Sequence, residues 1–139
     1  MEVRFERPPL WAEIDAKFHV EGKPVLFSWG NIIYNLQGVQ IAPELFAHEA
    51  LHGERQLLYC EPMTNEELIV DWWNRYIQDE AFRYAEELEA HRAEYQFLAA
   101  GVKDRNKLNR LLVRTAARLT SPLYGWKRPI YDATKALKR

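Results

Sequence analysis

Residues 46–56, FAHEALHGERQ, place the strictest demand on how this chain can fold. They contain His48, Glu49 and His52 in the order H-E-x-x-H. On a helix, four residues advance roughly 40° past a full turn, so both imidazoles leave one face, one turn apart. They can then grip a single metal ion. Glu49 lies roughly 100° round from His48, beside the metal rather than on it, where its carboxylate can take a proton from water. Zn2+ suits imidazole nitrogen and carboxylate oxygen in a tetrahedral site. A catalytic zinc site needs a third protein ligand and a fourth position left for water. The competing reading is two solvent-facing histidines on an ordinary helix. Against it, the segment reads as helical on separate grounds, from Pro43 at the first turn and from its apolar spacing.

The rest of the chain sorts by periodicity and by helix signals. Residues 1–12 hold Pro8 and Pro9 and read as an extended lead-in. AEIDAKFHV alternates, with Ile14, Ala16, Phe18 and Val20 on one face, and predicts a half-buried strand. PVLFSW and IIYN, separated by Gly30-Asn31, predict two more, in an antiparallel meander over residues 13–36. From Pro43 the pattern turns helical, through PELFAHEALHGERQLLY. Gly53 inside it costs about 1 kcal/mol relative to Ala, and marks a bend or a place where another backbone comes close. Pro62 ends the segment. Thr64 and Glu67 form a capping box for the next helix. Asp79 caps EAFRYAEELEAHRAEYQFLAA, which stops at Gly101; Asp104 opens a fourth helix, and Asp132 a short terminal one. The expected fold class is α+β: a mostly helical domain over residues 1–139 with a small antiparallel N-terminal sheet.

Composition narrows the function classes. Hydrophobic residues make up 47% and charged residues 28%, enough for one packed core. A net charge of -1 makes no global case for nucleic acid or an anionic membrane. Residues 103–139 are nevertheless basic, with Arg105, Lys107, Arg110, Arg114 and Arg118 on the fourth helix. That stretch reads as a solvated face balanced by the acidic middle, or as a surface for phosphates or an acidic partner. Cys60 is the single cysteine, so no intrachain disulfide forms, which fits a reducing compartment. MEVRFERPPLWAEID lacks the basic-then-apolar order of a secretory signal, and no apolar run nears the roughly 20 residues that span a bilayer. A cytoplasmic protein is expected.

The third metal ligand has few candidates. His19 sits on the polar face of the expected first strand, and Cys60 follows the motif helix. The better place is YAEELEAHRAEY, residues 84–95. An H-E-x-x-H helix followed by E-x-x-A and a polar residue resembles the gluzincin pattern of zinc peptidases. The resemblance makes Glu87 the ligand, Ala90 the small residue that allows close helix approach, and His91 the supporting residue, where larger families carry Asp or Asn. Glu87, His91 and Glu94 form one stripe of the helical wheel, beside an apolar face of Ala81, Tyr84, Leu88, Tyr95 and Leu98. Glu86 borders the other apolar group and stands as the alternative ligand; Glu89 points away from both.

HEALHGERQ, WWNRYIQDEAFRYAEELEAHRAEYQ and RLTSPLYG are also similar to small phage-encoded metallopeptidases, over roughly residues 40–130. The resemblance implies a minimal zincin-like core in a phage-encoded or bacterial cytoplasmic protein. It implies a metal site of His48, His52 and Glu87, with Glu49 as general base on a peptide or protein substrate. The oxyanion of the intermediate needs a donor; His91, Tyr95 and Tyr124 are the candidates. Arg55 is expected to pair with Glu87 or a neighbouring acid. A rival reading keeps the metal and drops the chemistry: a silent or latent zinc-binding module that docks on a host or phage protein.

Overall fold

A computed structural model describes residues 1–58, 63–126 and 130–138, with the side chains of Ile130 and Tyr131 excepted. Its elements run β1 (Glu2–Arg4), α1 (Trp11–Phe18), β2 (Phe27–Trp29), β3 (Ile32–Tyr34), α2 (Pro43–Gln56), α3 (Asn65–Gln78), α4 (Glu80–Ala99), α5 (Arg105–Leu119), a 3-10 turn at Pro122–Tyr124, and α6 (Ile130–Leu137). The class is the expected one, mostly helical α+β with a small sheet. Among the described residues, no helix is long and apolar enough to cross a membrane.

The N-terminal third differs from the sequence reading in two ways. AEIDAKF is a helix, not a strand. Ile14 and Phe18 are buried one turn apart while Ala16 is exposed. Alternation and helical spacing both contain the pair 14/18, and the strong helix formers around them, Ala12, Glu13, Ala16 and Lys17, decide it. His19, expected on a strand face, is the left-handed C-cap of α1, its N–H bonded to the Asp15 carbonyl at 2.8 Å. The sheet is mixed rather than antiparallel, in the order β1-β3-β2. The expected lead-in supplies β1, which pairs parallel with β3, while β2 and β3 form the antiparallel hairpin. Gly30, φ 58°, takes the first position of the two-residue turn, as a primed hairpin turn requires.

Helix starts follow their caps. The Thr64 hydroxyl accepts from the Glu67 N–H at 3.2 Å, and the Glu67 carboxylate accepts from the Thr64 N–H at 3.4 Å. The Asp79 carboxylate accepts from Phe82 N–H, and Asp104 from Asn106 and Lys107 N–H. Asp132 instead falls inside the first turn of α6. Gly101, φ 74°, follows the end of α4. Cys60 and Pro62 lie outside the described residues.

Two apolar clusters flank the polar centre. One joins Ile14, Phe18, Phe27, Trp72, Trp73 and Tyr76, and each buried aromatic contributes about 2 kcal/mol or more. The other joins Leu112, Ala116, Leu119, Trp126, Ala133 and Leu137. α2 lies between the sheet and α4. A Cβ on Gly53 would stand 2.1 Å from the Gly30 carbonyl oxygen, so the glycine marks close backbone approach, not a bend. Gln56 then acts as a surrogate strand residue. Its Oε1 accepts from Gly30 N–H at 2.7 Å and its Nε2 donates to the Ser28 carbonyl at 2.9 Å.

Candidate metal centre

α2 turns one polar stripe inward, and His48, His52 and Gln56 on it are all buried. α4 packs against that stripe and buries Glu87, His91 and Glu94 in turn. Carboxylates so placed are sustained only by partners, because an unpaired buried charge is costly. The partners are the histidines. His52 Nε2 is 3.1 Å from Glu87 Oε1, and His48 Nε2 is 3.5 Å from Glu87 Oε2. One carboxylate thus faces both imidazoles of the H-E-x-x-H motif.

The choice between neighbouring acids is made by Arg55. Its guanidinium Nε donates to Glu86, which removes the alternative ligand from the cluster. The expected pairing of Arg55 with an adjacent acid therefore falls on Glu86. Glu89 accepts from the Arg92 guanidinium at 2.6 Å and is half-exposed.

His91 sits deeper than a supporting role demands. Its Nδ1 is 2.7 Å from the Glu87 backbone oxygen. A carbonyl only accepts, so Nδ1 carries the proton and Nε2 has a bare lone pair. That Nε2 is buried with no hydrogen-bond partner, as is Glu87 Oε2. His48, Glu87 and His91 offer donor atoms that all lie within 4.8 Å of one another, so this buried group can hold a metal ion.

Titration reflects the crowding. Burial alone would raise Glu87, but the charges and hydrogen bonds of His52 and His48 hold its carboxyl well below the usual range. Burial alone would lower His48, yet its close pairing with the Glu87 and Glu94 carboxylates and the charges of Glu87 and Glu49 bring it up to about 10. Burial and the adjacent His48 push His91 down to about 4. Burial and the Glu87 charge raise the phenols of Tyr76 and Tyr124 well above their ordinary value, so both stay protonated donors.

A cavity of about 180 Å³ opens beside the cluster. His48, Glu49, His52, Glu87 and Tyr124 all line it. Glu49 accepts a hydrogen bond from the Ser28 hydroxyl, which fixes its carboxylate at the cavity wall. Tyr95 packs instead against the second apolar cluster. Sequence reasoning passed over four participants. Ser28 holds Glu49. Tyr76 donates to Glu87 Oε1 at 2.5 Å. Arg118 lines the cavity, and Glu94 contacts both His48 and Arg118. Glu94 had a visible signal, its place on the Glu87 stripe; the other three gave none that local spacing could reveal.

The donor set fits a dication. Glu49, Glu87 and Glu94 bring three buried carboxylates to the cluster, and Arg118 is the one guanidinium among the cavity-lining residues. The surplus of negative charge, the bare His91 Nε2 and a Glu87 Oε2 with ion-pair approaches but no hydrogen bond all favour a cation. Comparison with known proteins returned no matching family model, no matching curated protein and no matching solved structure.

Proposed function

We propose that the chain is a minimal zinc-dependent metallopeptidase of gluzincin-like type, with His48, His52 and Glu87 as the ligands. One observation carries the reading: both imidazoles of the motif direct Nε2 at the two oxygens of one carboxylate, while Glu49 stands on the wall of the adjoining cavity. Zinc, when bound, supplies a Lewis acid that acidifies water and polarises a carbonyl.

The chain's own groups do the rest. Glu49, oriented by Ser28, takes the proton of the attacking water and returns it to the departing amine, so the peptide C–N bond is exchanged for C–O. Tyr124 donates to the oxygen that becomes negative. It suits this better than His91, whose Nδ1 proton is committed to the Glu87 carbonyl. Tyr76 steadies Glu87. An extended peptide pairs with the chain before Ser28, where Pro24, Val25, Leu26 and Phe27 line the cavity. Pairing cannot continue past Ser28, because Gln56 and Trp73 already occupy the Ser28 carbonyl and Gln56 the Gly30 N–H. The same reading places the protein in a bacterial cytoplasm, phage-encoded or host-encoded.

A second reading rests on His91. A third nitrogen, from His91, would fill the fourth position, and the site would then be a structural staple in a module that binds a host or phage protein.

Metal analysis and hydrolysis assays separate the readings. After zinc reconstitution the native chain retains about one equivalent, His48→Ala loses it, and Glu49→Gln keeps the metal but loses hydrolysis of a denatured protein substrate. Absence of zinc in the native chain ends both readings. Zinc with hydrolysis equal in native and Glu49→Gln proteins leaves only the second.

A further inference from the structure

His48 presents its two ring nitrogens to two different carboxylates. Nε2 faces Glu87, and Nδ1 lies 3.3 Å from Glu94 Oε1. Glu94 stands on α4 seven residues, about two turns, beyond Glu87 and is 1% exposed. The same Oε1 lies 3.2 Å from Arg118 NH1 on α5. His48 Nδ1 and Glu94 Oε1 are both buried and neither has a fully aligned hydrogen bond to any described residue, so this 3.3 Å approach is the contact open to each of them on α2 and α4. A chain of contacts thus crosses three helices, from α5 through α4 to α2.

An imidazole that gives Nε2 to a metal must carry its proton on Nδ1, and that buried N–H needs an acceptor. His91, in the position from which a carboxylate or amide would be expected to serve, has turned its Nδ1 to the Glu87 carbonyl and presents only a ring edge to His48, with centroids 4.6 Å apart. We propose that Glu94, anchored by Arg118, is the positioning residue that fixes the tautomer and ring orientation of His48 for the metal. The function has moved one turn along α4 from the His91 position. The inference rests on the metal-centre reading above.

The test is zinc affinity by chelator competition, together with nitrogen-15 spectra of histidine-labelled, zinc-loaded protein. Glu94→Ala weakens zinc binding about 10- to 100-fold, and the slowly exchanging Nδ1–H signal of His48 disappears. Glu94→Gln, whose amide oxygen still accepts, retains the signal and most of the affinity. Arg118→Gln, at a half-exposed position, weakens binding by a smaller factor and carries the test if Glu94→Ala does not fold. Native affinity in Glu94→Ala overturns the assignment, as does a lowered unfolding temperature with affinity unchanged. Native affinity in Arg118→Gln overturns its anchoring role. A native chain that takes up no zinc overturns the metal-centre reading itself, and the inference with it.

Discussion

Gly53 of α2 meets Gly30 of the β2–β3 turn so closely that a methyl group on Gly53 would lie 2.1 Å from the Gly30 carbonyl oxygen. Helix propensity alone would make Gly53→Ala stabilising by about 1 kcal/mol. The clash is with backbone, which cannot swing aside as a side chain can. We expect Gly53→Ala to destabilise by about 3 kcal/mol, the scale of overpacking. The helix must lift from the turn, so the Gln56 bonds to Gly30 and Ser28 weaken as well. Urea unfolding of the purified variant measures this; a gain in stability would refute it.

Glu49→Gln separates proton transfer from metal binding. The amide cannot accept the water's proton, and kcat/KM should fall on the order of 10²- to 10⁴-fold. Glu49 makes no ion pair with His48 or His52 within 4 Å, so zinc content and unfolding temperature should remain near native. Peptide hydrolysis and metal analysis on one preparation check both halves.

Tyr124→Phe removes the proposed oxyanion donor. Its phenol is held protonated by burial and by Glu87, so the native hydroxyl is available across the working pH range. The expected loss is in kcat, on the order of 10²-fold, with KM little changed. A loss confined to KM would place Tyr124 in ground-state binding instead.

The metal-free protein should be most stable near pH 6.5. His48 is raised from 6.5 to about 10, so its contribution is complete below pH 6.5 and is lost as pH rises toward 10. His91 is lowered from 6.5 to about 4, so its contribution is complete above pH 6.5 and is lost as pH falls toward 4. Glu87 and Glu94, both held low, add to the loss on the acid side. Thermal unfolding in the presence of chelator, from pH 4 to 10, tests the shape of the curve.

The same His48 shift makes zinc binding proton-linked. Metal must displace the Nε2 proton that faces Glu87, so apparent affinity should rise about tenfold per pH unit between pH 6.5 and 9. Competition titrations at three pH values report the slope. A flat profile would mean that His48 is already neutral in the metal-free protein.

Much of the site was legible because its information is local. His48, Glu49 and His52 need only the helix that Pro43 begins and the apolar spacing supports. The α3, α4 and α5 starts need only a side chain and an N–H two or three residues on, as Thr64, Asp79 and Asp104 show. The stripe Glu87, His91, Glu94 likewise follows from helical spacing. The strand assignment for AEIDAKF failed because Ile14 and Phe18 satisfy both periods, and periodicity over so short a stretch carries no further information.

The sequence by itself determined which groups can meet a metal; the tertiary structure decided which of them do meet one another. Glu86 and Glu87 are adjacent glutamates on one helix. What distinguishes them is Arg55, 31 residues earlier, which occupies Glu86 and leaves Glu87 between the histidines. His91 reads as a supporting residue until the Glu87 carbonyl claims its Nδ1, and Glu94 reads as part of a stripe until α5 brings Arg118 against it. The parallel pairing of β1 with β3 and the Gln56 cap on the β2 edge have the same origin. Hydrogen bonds within a turn are encoded by neighbouring residues, whereas contacts between helices depend on the rotation at which two faces lock, which no single segment specifies.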